Sequence, residues 1–97
     1  MFGPGQNMAN VGFVGAGTVG TALAVRLRGR GYTIVAVASR TRASAERLAG
    51  MVDGCRVCDT AQQVADAADL VFITTPDGVI PQIAAQVKWH PKQGVVH

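Results

Sequence analysis

Ninety-seven residues, or 10.0 kDa, leave room for one small domain and exclude two independent lobes. With 48% hydrophobic and 15% charged residues, against a usual charged share of about 25%, the chain is too apolar for a disordered tail. Twelve glycines without a three-residue period exclude collagen, and no stretch approaches the roughly 18 uncharged apolar residues that span a bilayer. The net charge of +3 is uneven: six arginines between Arg26 and Arg47 face one acid, Glu46, while the remainder is mildly acidic. A basic end of this kind suits a phosphate-bearing small ligand. Aromatics, at 5%, are too sparse for a base-stacking platform, so no nucleic-acid partner is expected.

The first nine residues, with Gly3, Pro4 and Gly5 and no periodic apolar face, read as a flexible leader with Met8 as an alternative start. Val11-Gly12-Phe13-Val14 is a short apolar burst of the kind a strand buried on both faces requires. After the glycines, Val19, Leu23 and Leu27 recur at helical spacing while Arg26, Arg28 and Arg30 fall off that line. The pattern predicts a helix with one apolar and one basic face, ended near Gly29 and Gly31. Tyr32 through Ala38 is β-branched and apolar, a second strand. Thr41 is placed to cap a helix through Gly50 with Ala45, Leu48 and Ala49 inward.

Cys55 to Cys58 reads as a brief third strand, and Thr60-Ala61-Gln62-Gln63 fits a capping box that opens a short helix. Leu70 to Ile73 makes a fourth strand ending at Thr74 and Thr75. Asp77 is expected to cap a fourth helix carrying Val79, Ile80, Ile83, Ala84 and Val87, and Gly94 to His97 begins a fifth strand. Strands alternating with helices specify βαβ crossovers, hence an α/β fold with a doubly wound parallel sheet in the order 3-2-1-4-5. On this reading residues 10–97 form the domain, cut at or just after the fifth strand of a longer protein.

Gly15-Ala16-Gly17-Thr18-Val19-Gly20 lies between the first strand and the first helix, the context that the dinucleotide fingerprint demands. Gly15 permits the tight turn, Gly17 lets backbone approach a pyrophosphate, and Gly20 lets helix and strand pack closely. The free amides at the helix start then bind the anion. Glycines serving only a tight turn, or an adenosine ligand such as S-adenosylmethionine, are the alternatives. At the end of the second strand, nineteen residues beyond Gly20, an acid normally bonds the ribose 2′-hydroxyl; here stand Ser39, Arg40 and Thr41. A guanidinium and two hydroxyls suit a 2′-phosphate, so NADP is expected over NAD, and the missing acid argues against FAD and S-adenosylmethionine. Ile73, Thr74, Thr75 and Pro76 leave the fourth strand beside the topological switch point and are expected to face the ribose and nicotinamide.

Cys55 and Cys58 offer no disulfide framework and, three apart on a strand, are expected on opposite faces with no redox or metal role. His90 reads as a surface or packing residue and His97 as a neighbour of the cleft. Without a secretory signal, the cytoplasm is the expected location.

The runs VGFVGAGTVG from Val11 to Gly20, ASRT from Ala38 to Thr41, DLVFITTPD from Asp69 to Asp77 and GVVH from Gly94 to His97 resemble Rossmann-like NADP oxidoreductases. The likeness is to the group of pyrroline-5-carboxylate reductase and 6-phosphogluconate dehydrogenase, over residues 10–97. Thr75 stands where the pyrroline-5-carboxylate reductases tend to carry a lysine. The resemblance implies hydride transfer between nicotinamide and a small imine, ketone or alcohol, with a helical C-terminal domain completing the substrate pocket and a homodimer. It assigns no catalytic residue, and the fragment alone is expected to bind cofactor without turnover. A non-catalytic NADP sensor would share the fold and the cofactor site, and a ketopantoate-type reductase stays open within the enzyme class.

Overall fold

The computed structural model describes residues 10–74, 87–89 and 93–96. Strands β1 (Asn10–Val14), β2 (Thr33–Ala38), β3 (Arg56–Val57), β4 (Leu70–Ile73) and β5 (Gly94–Val96) form one sheet in the order β3-β2-β1-β4-β5. All four neighbouring pairs are parallel. Helices α1 (Thr18–Gly29), α2 (Arg42–Met51) and α3 (Ala61–Ala67) connect the strands. This is the doubly wound order that the alternation of elements predicts. The expected leader, the helix from Asp77, and Thr75, Pro76, His90 and His97 lie outside the described residues.

The two faces of the sheet bury separate cores. Val11, Phe13, Ile34 and Val37 pack with Ala24 of α1 and with Ala45 and Leu48 of α2. Val14, Ala36, Ala38, Val71 and Ile73 pack on the opposite face with Val64 of α3. Alternation along β1 sends Val11 and Phe13 one way and Val14 the other, as a two-residue period requires. In β2 the period breaks. Val11 pairs with Ile34 but Gly12 pairs with Ala36, so Val35 is an inserted residue. This bulge puts Ile34 and Ala36, two apart, on opposite faces and lets both be fully buried. The rings of Phe13 and Phe72 stack across β1 and β4 with centroids 5.3 Å apart.

Helix α1 differs from the expected apolar line. Leu23 and Leu27 are half-buried against the core, but Val19 is 70% exposed, and the fully inward positions are Gly20 and Ala24. The buried line of the helix is set by Gly20 and Ala24, one turn apart, and Val19 lies off it. Helix α2 likewise lacks the expected side-chain cap: Thr41 is its N-cap residue, yet its hydroxyl makes no capping bond. The Thr41 amide instead donates to Ser39 Oγ at 3.4 Å.

At α3 the capping box forms as the sequence predicts. The Gln63 amide donates to Thr60 Oγ1 at 3.2 Å, and Gln63 Oε1 accepts from the amides of Thr60 at 3.2 Å and Asp59 at 2.7 Å. Two glutamine side chains tie later segments to this helix. Gln62 exchanges both amide groups with the Lys88 backbone, at 2.8 and 3.1 Å, and Gln93 Nε2 donates to the carbonyls of Ala65 and Ala68 at 2.6 and 2.5 Å.

Thr60→Ala removes one half of the box, and thermal or urea unfolding is expected to show a loss of about 1 kcal/mol.

Candidate dinucleotide site

The site begins where β1 turns into α1. Gly15 takes φ 107°, a conformation strained for any residue with a Cβ. Its amide donates to the Ala38 carbonyl at 2.7 Å and its carbonyl accepts from Thr74 Oγ1 at 2.9 Å. The turn is thus bonded to the ends of both strands that flank β1. A Cβ on Gly20 would lie 2.6 Å from Thr74 Oγ1 and 2.8 Å from the Gly15 carbonyl oxygen, so only glycine lets the first turn of α1 settle there. Gly17 is the reverse case: nothing lies within 4 Å of the place its Cβ would take, and its backbone faces open space.

The first helical bond of α1 runs from the Thr21 amide to the Gly17 carbonyl at 2.9 Å. The amides of Thr18, Val19 and Gly20 precede it and have no acceptor within the helix. No side chain caps this end and no acid stands in the first turn. Three free donors at the positive end of a helix form an anion site. A residue larger than glycine at position 17 would fill the approach that a pyrophosphate needs, and none does. The residues present therefore fit a dinucleotide.

Across the sheet edge, Val14, Gly15, Ala38, Ser39, Arg40 and Asp59 line a cleft of about 190 Å³ together with Ala61. Ser39 is half-buried, whereas Arg40 and Thr41 are exposed. Arg40 has no ion pair among the described residues, and the Thr41 hydroxyl is free of capping. Arg42 is differently placed. Its Nη1 lies 2.9 Å from Asp59 Oδ1 and its Nε 3.4 Å from Glu46 Oε2. Asp59 was not among the residues that the motifs select. Its signal is topological: in a 3-2-1-4-5 sheet the end of β3 neighbours the end of β2, so the residue after Cys58 faces the same cleft.

Not every expected site residue offers a side chain. Ala16 and Ile73 are each 2% exposed within the cores, so they can contribute backbone only. Thr74 spends its hydroxyl on the Gly15 carbonyl and acts as a clamp on the turn. Gly17 and Thr18 open onto a different groove, of about 510 Å³, between α1 and α2, flanked by Val25, Arg26, Arg47 and Met51.

The cysteines lie on the expected opposite faces: Cys55 packs against the core of Phe13 and Ile34, and Cys58 is buried in that of Ala36 and Val64. Each thiol also makes a long local contact with the Arg56 carbonyl, at 3.9 Å from Cys55 and 4.0 Å from Cys58. The strand is only Arg56 and Val57, yet its two-residue alternation carries to the flanking residues, with Cys55 and Val57 against the same core. Burial, with the neighbouring Cys58 adding to it, pushes the Cys55 thiol from 9.0 up to about 11, and burial also raises Cys58. Among the described residues no group of three or more His, Cys, Asp and Glu side chains gathers as a metal site.

A parallel sheet in this order, with a glycine turn aimed at an uncapped helix end, defines a dinucleotide-binding domain of the Rossmann type. The family described as NADP oxidoreductase, coenzyme F420-dependent, matches residues 10–96, and the chain belongs to it. None of the curated proteins matches the sequence. Among solved structures the chain is similar to a Bacteroides fragilis protein assigned as an NADP oxidoreductase. The two are 27% identical over 92% of this chain and 35% of that one, with a TM-score of 0.81. A variant imine reductase of Myxococcus stipitatus in complex with NAD+ is 28% identical over 81% of this chain and 26% of its own, with a TM-score of 0.71. The 3-hydroxyisobutyrate dehydrogenase of Mycobacterium tuberculosis, solved with L-serine, shares the fold at 22% identity. It is matched over 91% of this chain and 30% of that one, with a TM-score of 0.79. The chain thus spans 26–35% of the lengths of these relatives. Among the described residues no helix is long and apolar enough to cross a membrane.

Gly20→Ala drives a methyl into Thr74 and the Gly15 carbonyl. It is expected to cost about 1–3 kcal/mol of stability in a denaturant titration and to weaken dinucleotide binding measured by calorimetry. The raised thiol pKa values give a second expectation. Near neutral pH the thiolate fraction of Cys55 is roughly a hundredfold below that of a free cysteine at its ordinary value. Alkylation of the native chain by iodoacetamide, followed by mass, should be slow at neutral pH and accelerate toward pH 11. Because the folded chain holds the proton more tightly, this contribution to stability is whole below pH 9.0 and is lost as pH climbs toward about 11.

Proposed function

We propose that the chain is the NADP(H)-binding domain of an oxidoreductase that moves hydride between nicotinamide and a small imine, ketone or alcohol. The observation that carries the choice of NADP is the end of β2. Where a carboxylate would bond a 2′-hydroxyl, the chain has the half-buried Ser39, an exposed Arg40 with no ion pair among the described residues, and a Thr41 whose hydroxyl is not spent on its helix. An exposed guanidinium at this place suits a phosphate dianion.

In this reading the amides of Thr18, Val19 and Gly20 hold the pyrophosphate, while Ser39, Arg40 and Thr41 hold the 2′-phosphate. The backbone leaving β4 at Ile73 and Thr74 borders the nicotinamide half. The bound cofactor supplies the hydride chemistry; the chain's residues bind and orient it. The choice of a small imine, ketone or alcohol is supported by the imine reductase among its relatives. The solved relatives are about three times longer. We place the substrate pocket and the contact of a homodimer in the part that they have in addition, and the protein in the cytoplasm.

Calorimetric titration with NADPH and NADH at one salt concentration tests the cofactor reading. NADPH is expected to bind more tightly, and Arg40→Ala to cost about 1–3 kcal/mol of NADPH affinity with NADH little changed. Equal losses for the two cofactors would remove Arg40 as the discriminating residue. Turnover of the complete protein with NADPH, assayed against imines, ketones and coenzyme F420, tests the substrate class.

A further inference from the structure

A carboxylate beside a site for a phosphate dianion opposes the ligand unless its charge is met. Asp59 is such a carboxylate, lining the same cleft as Ser39 and Arg40. It is held at two points: its amide donates to Gln63 Oε1 at 2.7 Å, and its Oδ1 meets Arg42 Nη1 at 2.9 Å. Arg42 in turn reaches Glu46 through Nε at 3.4 Å, so two carboxylates occupy its guanidinium while Arg40, two residues earlier, has no ion pair among the described residues.

Helix formation does not account for Arg42. It is the first residue of α2, at the positive end of the helix, where a cation is disfavoured. Nor is stability a sufficient reason, because the side chains of Arg42 and Asp59 are 62% and 75% exposed and pairs so solvated contribute little to folding. What the pair does control is the charge at the mouth of the cleft. Within a Debye length of about 8–10 Å an unmet Asp59 would repel a phosphate placed at Arg40.

We propose that Arg42 is a specificity-determining positioning residue: it fixes Asp59 and offsets its charge, so that the cleft at the ends of β2 and β3 accepts a 2′-phosphate. The inference rests on the NADP reading of this site. Arg42 then acts through Asp59 and not by touching the phosphate, a division of labour with Arg40. NADH carries no 2′-phosphate and is indifferent to the pair.

A double-substitution cycle separates the two ways in which Arg42 could matter. Arg42→Gln is expected to weaken NADPH binding roughly fivefold and to change NADH by less than about twofold. Adding Asp59→Asn should return NADPH affinity to within about twofold of the original, since nothing is left to repel the phosphate. Arg42→Lys, which keeps the charge, should retain most of the affinity, and far-ultraviolet circular dichroism checks that each variant is folded. If the doubly substituted chain binds NADPH as weakly as Arg42→Gln alone, Arg42 touches the phosphate itself and the proposal is overturned. A loss of NADPH affinity on Asp59→Asn alone would overturn it as well, by making Asp59 a ligand. If the unsubstituted chain shows no preference for NADPH, the cofactor reading has failed first and the proposal falls with it.

Discussion

The contact on which the rest depends is the one between the Thr74 hydroxyl and the Gly15 carbonyl, 2.9 Å apart, with Gly20 pressed against both. It joins the carboxyl end of β4 to the turn after β1 and to the first turn of α1. A second bond, from the Gly15 amide to the Ala38 carbonyl at 2.7 Å, joins the same turn to β2. Three strand ends are thereby held at one point, and the uncapped amides of α1 are aimed across it. Because the turn is bonded on both sides, an anion bound there meets donors already in place, and little ordering cost falls on binding.

That junction also explains why so much of α1 is small where it meets the sheet. Gly20 and Ala24 are the buried positions, while leucines fill only the partly exposed margin. A larger residue at the contact would lift the helix and with it the three amides. The packing of the first core and the geometry of the anion site are therefore one constraint, so a substitution that disturbs either is felt in both.

Much of this was legible in the residues. The glycine spacing, the β-branched runs and the capping box at Thr60 each name a local structure through chemistry that acts within a few positions, and the sheet order follows from the handedness of crossovers. What escaped depends on contacts distant in sequence. The inserted Val35 in β2 is set by how β1 seats against it, and no composition signal marks it. Thr41 reads as a side-chain cap from its type alone, yet its hydroxyl stays free while its amide takes Ser39 Oγ. Ala16 and Ile73 sit in motif positions that point to a ligand, but a motif does not say whether side chain or backbone does the pointing, and here both side chains belong to the cores.

Charge at the cleft follows the same logic of position over type. Arg40 and Arg42 are two residues apart, equal in formal charge and both exposed, and sequence separates them only by place, one at the strand end and the other at the start of α2. The fold separates them through an acid seventeen residues further on, brought to Arg42 by the order of β3 and β2 and held there by the capping box of α3. The helix that buries Val64 in the second core thus also fixes, through Gln63, the carboxylate that engages Arg42. Stability of α3 and the electrostatics of the strand ends are coupled by that one glutamine side chain, which bonds the amides of Asp59 and Thr60 together.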